Sequence, residues 1–83
     1  MTRFYLHLHN RIGTVPDEEG TDVSDLDAAR YLAVQSVRDI LSEEAKQGII
    51  DLRGKIEIAD AAGGTVAVVA FADAIQLQLG DAR

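Results

Sequence analysis

Few side chains in this sequence stand at spacings that chemistry needs, and the densest group is PDEEGTDVSDLDAAR, residues 16 to 30. Asp17, Glu18, Glu19, Asp22, Asp25 and Asp27 fall there within eleven positions. Carboxylates at that density suit a bound cation or a basic partner. The calcium-loop register fails, because counting from Asp17 the fifth position is Thr21 and the sixth, which should be glycine, is Asp22. Asp25 and Asp27 fall in the first turn of a predicted helix, where the dipole stabilises a carboxylate by about 0.3 to 1 kcal/mol without any ligand. That leaves Asp17, Glu18, Glu19 and Asp22, around Gly20, as the candidate surface for steering a basic protein partner. The plainer reading is a solvated acidic loop.

His7 and His9 lie two apart on a predicted strand and so project to one side, within reach of a single metal ion. They are the candidate metal ligands, and a third would have to come from another element. The plainer reading is a polar strand face shared with Arg3 and Tyr5. Imidazoles change charge near neutral pH, which also suits them to tuning a partner interface. Among possible nucleophiles, Ser24 is better used as a helix cap, and Ser36 and Ser42 have no base at an identifiable spacing. Gly63-Gly64 lacks the lysine and the Ser or Thr of a phosphate loop. The expectation is a protein that is not an enzyme, with no catalytic residue and no cofactor.

The chain that must position these groups has 83 residues, enough for one small domain over residues 1–83. A domain of that size buries only roughly 60 to 65% of the surface of its unfolded chain, so its stability margin is thin. Without cysteine there are no disulfides and no thiolate sites. The net charge is −6, and the six acids of residues 17–27, unaccompanied by any base, account for all of it. Nucleic-acid binding needs a basic surface and is therefore disfavoured. The early apolar run Phe4 to Leu8 is interrupted by His7 and is too short for a signal peptide or a membrane span, so a cytoplasmic location without membrane contact is expected.

Thr2 to His9 alternates, with Phe4, Leu6 and Leu8 on one side, and predicts a half-buried strand. Asn10-Arg11 makes a turn, and Ile12 to Val15 returns as a weaker strand that Pro16 stops. Ser24 as cap, with Asp27 three residues on as in a capping box, opens a helix over about residues 25 to 47. Its stripe is Leu26, Ala29, Ala33, Val34, Val37, Ile40 and Leu41, flanked by Tyr31 and Leu32, and Gly48 ends it. Ile49, Ile50 and Leu52 are expected to close one end of the core. Lys55 to Asp60 and Thr65 to Phe71 predict a second hairpin around a glycine turn, with Val66, Val68 and Val69 making its last strand apolar on both faces. Ala72 to Gln76 suits one helical turn, with a frayed tail to Arg83. The order ββαββ implies an α+β fold: a four-stranded antiparallel sheet, order 2-1-3-4, with one helix across one face. A valine-rich edge left in solvent is a liability that a second subunit could cover, so a homodimer is expected.

RFYLHLHN, DEEG, DLDAAR opening a helix, and DLRGKIEIADAAGG with FADA after the last strand resemble a family of small uncharacterised bacterial proteins grouped as a domain of unknown function. The resemblance runs over Arg3 to Ala74; where the family pattern has a further acid after the aspartate of the last turn, Ala61 stands here. Over residues 3 to 45, Pro16-Asp17 and the Asp27-Ala28-Ala29 helix start are also similar to HicB-type antitoxins, which implies an inhibitor of a small basic ribonuclease. The DNA-binding extension often found in those antitoxins does not fit in 83 residues. The expected function is thus a small acidic protein-interaction or regulatory module, in its specific form an antitoxin-like inhibitor of a basic partner. The alternative is metal or ligand binding on the His7/His9 face.

Overall fold

The computed structural model describes residues 1–80 and has the expected α+β architecture. Strand β1 (Thr2–Asn10) turns into β2 (Gly13–Val15); a short β3 (Thr21–Val23) precedes helix α1 (Leu26–Lys46), and β4 (Lys55–Ala59) and β5 (Thr65–Ala70) form the second hairpin. All pairings are antiparallel and the path runs β2-β1-β4-β5, which is the expected order for the four anticipated strands. The fifth strand, β3, was not expected. It pairs with β1 end to end with β2: Leu8 to Asn10 face β2, and Thr2 to Phe4 face β3.

The helix lies across one face of the sheet because its small and branched residues recur at helical spacing. Ala29, Ala33, Val37 and Leu41 are buried on that stripe, with Leu26, Val34 and Ile40 half-buried at its margins. Beneath it sit Phe4, Ile56, Ile58 and Val69, every second residue of their strands. Phe71, 1% exposed, fills the end of the core, its ring packed on Gly54 where a Cβ would leave it no room. Phe71 opens a 3-10 turn (Phe71–Asp73), an earlier and shorter turn than Ala72 to Gln76. Of the expected frayed tail, residues 81–83 lie outside the described residues.

Two expectations at the ends of the helix need correction. The N-cap is Asp25, whose Oδ1 accepts from the Ala28 N–H at 2.8 Å, so the helix starts one residue later and Ser24 with Asp27 forms no capping box. Both residue types cap well, but the carboxylate adds a charge at the positive end of the dipole. At the C-terminus, Ile49 N–H bonds Glu44 O and Gly48 N–H bonds Ala45 O, a Schellman closure that turns the chain outward. Ile49 and Ile50 are consequently 61% and 50% exposed, and only Leu52 of that connector packs on the core. Of the two residues flanking the stripe, Tyr31 is 64% exposed and Leu32 is half-buried.

Candidate functional site

The open face of the sheet carries the histidines, and the pairing register fixes what they meet. His7 stands opposite Glu57, and His9 stands between Thr14 of β2 and Glu57 of β4. His9 Nδ1 is 2.9 Å from Thr14 Oγ1 and its Nε2 is 2.9 Å from Glu57 Oε1, while the Thr65 hydroxyl donates to Glu57 Oε2. A polar ladder therefore crosses four strands from Thr14 to Thr65. The Thr65 hydrogen bond, then that of His9, holds the Glu57 carboxyl below the usual glutamate range. The His7 Nδ1 accepts the Asp17 backbone N–H at 3.0 Å. Three of the four ring nitrogens are thus committed to protein partners, and no group of three His, Asp or Glu that could hold a metal forms among the described residues.

The acidic segment fills the gap between β2 and β3. Tyr5, Leu6 and His7 have no strand opposite them on that side of β1, and there Asp17 takes the place of one. Its Oδ2 accepts the Leu6 N–H at 3.1 Å, its Oδ1 accepts the Gly20 N–H at 3.0 Å, and its own N–H goes to His7. Partial burial draws the Asp17 carboxyl upward, but the N–H groups of Gly20, Leu6 and Glu19 together with His7 outweigh it and hold the group below the usual aspartate range. The loop closes over Arg3 and Tyr5 at Gly20, where φ is +74° and a Cβ would come 2.9 Å from Arg3 Cγ and Tyr5 Cε2. Only glycine suits that point.

Asp22 lies in β3 opposite Arg3 and takes its guanidinium in a two-pronged pair, Nε to Oδ1 and Nη2 to Oδ2, each 2.9 Å. The hydrogen bond from Arg3 lowers the Asp22 carboxyl, and the reciprocal bond raises Arg3. The four acids read as one surface are therefore split by the fold. Asp17 and Asp22 serve the chain's own backbone and Arg3, and Glu18 and Glu19 remain exposed between them. Sequence alone gave no sign of Asp17's role, since it depends on a gap in the β1 pairing that only the unexpected β3 creates.

A second charged cluster joins the hairpin turn to the helix exit. Asp51 accepts from Arg53 Nε at 2.9 Å and Nη2 at 2.8 Å, and its Oδ2 is 3.1 Å from Arg11 Nε. The Arg53 side chain, then its backbone N–H, pulls the Asp51 carboxyl down to about 2.

At the far edge of the sheet stands β5, paired on one side only. Val68 shares the open face with Glu57, its pairing partner, and is 48% exposed; Val66, at the irregularity in the β4–β5 register, is 40% exposed. Asp73 is the only charged residue between Ala61 and Gly80. No helix among the described residues is long and apolar enough to cross a membrane. Residues 3–72 match the model of a family described as a domain of unknown function, DUF6894. No curated protein and no solved structure matches the chain.

Proposed function

The chain belongs to that domain family of unknown function, and from this footing we propose that it is a non-enzymatic protein-interaction module that receives a partner at the β5 edge. The observation that supports the reading is a six-residue strand with no charge, no proline and two exposed valines, at the edge of the sheet. Edge strands present unpaired N–H and C=O groups, and proteins ordinarily blunt them with charges, prolines or a covering loop. Apart from the irregularity at Val66, β5 has no such device, and its regular stretch from Ala67 to Ala70 suits strand addition, in which main-chain bonds supply affinity and alternate side chains supply selectivity. The exposed Glu18 and Glu19 fit the more specific form of the reading, steering of a basic partner such as an antitoxin's target.

The test places a charge on the edge. Val68→Lys substitutes an exposed position, so the thermal midpoint should stay within a few degrees of the parent, while proteins captured from cell lysate by the parent chain should be lost. An unchanged set of captured proteins contradicts the reading.

A further inference from the structure

Beyond the 3-10 turn, residues 75 to 79 read Ile-Gln-Leu-Gln-Leu, a period of two that is the pattern of a strand with one apolar face. The structure gives this segment no strand partner. Ile75 touches the core, but Leu77 is 60% and Leu79 84% exposed. The same molecule thus carries an unpaired edge with exposed valines and an unpaired segment with exposed leucines.

We propose that residues 75–79 of one copy add as a strand to the β5 edge of a second copy, with Leu77 and Leu79 lying against Val66 and Val68. Three features suit this arrangement. Phe71 and Ala74 are both buried at 1% exposure, and Arg38 Nε donates to Ala74 O at 2.8 Å, so the chain is anchored beside the helix where the segment leaves. The lengths match, since at about 3.3 Å per residue five residues extend roughly 16 Å along a six-residue strand of about 20 Å. The charge distribution also permits it. The chain is acidic overall, yet Asp73 is the only charge from Ala61 to Gly80, and the acid-rich segment joins the sheet through β3 on the opposite side of β1. Two copies meeting here do not bring their excess negative charge together.

This inference rests on the β5 edge being the docking edge, and the test separates the two. The chain has no cysteine, so introduced thiols report single positions. Mixing Val68→Cys chains with Leu77→Cys chains under mild oxidation should give the mixed disulfide in clear excess over either homodimer. The double variant Leu77→Asp/Leu79→Asp should sediment as a monomer at a concentration where the parent is associated, and its thermal midpoint should equal the parent's at a dilution where both are monomeric. A dominant disulfide between two Val68→Cys chains overturns the inference, while leaving β5 as the docking edge. So does a disulfide formed within one chain of the Val68→Cys/Leu77→Cys variant, or a parent chain that is monomeric throughout. The reading of β5 itself falls separately, if Val68→Lys changes neither association nor capture.

Discussion

The two edges of the sheet are built on opposite plans. On the β2–β3 side, two three-residue strands share one edge of β1, Pro16 follows the first, and Asp17 satisfies the Leu6 N–H in the gap between them. The gap along β1 is thereby filled, and β2 offers an outer edge of only three residues. On the β5 side, six uncharged residues run to the 3-10 turn with their outer edge bare. Short edge strands discourage further pairing, so this contrast supports the proposal that the β5 edge is the docking side. The acidic segment lies on the side of β1 away from β5, while exposed apolar residues stand at both ends of the sheet, Ile12 and Val15 at the β1–β2 hairpin and Val66 and Val68 in β5.

Both edges depend on the same core, so the largest expected effect removes them together. Val37 is fully buried on the sheet-facing stripe of the helix, and Val37→Asp should bury an unpaired charge and unfold a domain of so little margin, read as loss of the cooperative thermal transition. Next in size is damage to the β5 side from within. Gly54 packs under Phe71, where a Cβ would meet Cε2 at 2.6 Å and His9 O at 2.9 Å, so Gly54→Ala should cost about 1 to 3 kcal/mol by chemical denaturation. A fully tolerated alanine would show that Phe71 does not fix the end of β5.

The guarded side should respond to Asp17→Ala, which leaves the Leu6 and Gly20 N–H groups without an acceptor and should cost about 1 to 3 kcal/mol, with Asp17→Asn costing less. Acid provides a related probe. Asp17, Asp22, Asp51 and Glu57 all have carboxyls held below their ordinary values. Groups depressed in the folded state contribute stability that is fully present above the unfolded values, near pH 4, and is lost as pH falls through the folded ones. For Asp51 that loss extends down to about pH 2. The thermal midpoint should therefore hold above about pH 5 and fall below pH 4, and Asp51→Asn should flatten part of that fall. Smallest of all, Glu18→Lys/Glu19→Lys should move stability by no more than about 0.5 kcal/mol, because both side chains are exposed. A measured effect on association with a basic partner, without one on stability, would assign the pair to steering.

The sequence made legible whatever periodicity controls. The alternation of Phe4, Leu6 and Leu8 and the stripe from Ala29 to Leu41 placed the strands, the helix and its buried face, and the ββαββ order gave the strand path. Local chemistry with two near-equal solutions was less readable: Ser24 and Asp25 both cap helices, and the structure uses the aspartate. Three residues, Thr21 to Val23, are too short for alternation to show, so β3 went unseen and with it the gap that Asp17 fills. Apolar character alone misplaced Ile49 and Ile50, because burial there depends on where the Schellman turn sends the chain. The histidines were correctly placed on one strand face, but their partners, Thr14, Glu57 and the Asp17 N–H, come from elements distant in sequence.

Residue-resolved amide hydrogen exchange over a range of protein concentrations tests the contrast between the edges most directly. The Leu6 N–H, held by Asp17, should be protected to the same degree at every concentration. The outward amides of Thr65 to Ala70, unprotected in dilute solution, should gain protection as concentration rises, together with those of residues 75 to 79. An exposed Leu6 amide combined with β5 amides indifferent to concentration would contradict the assignment of one closed and one docking edge.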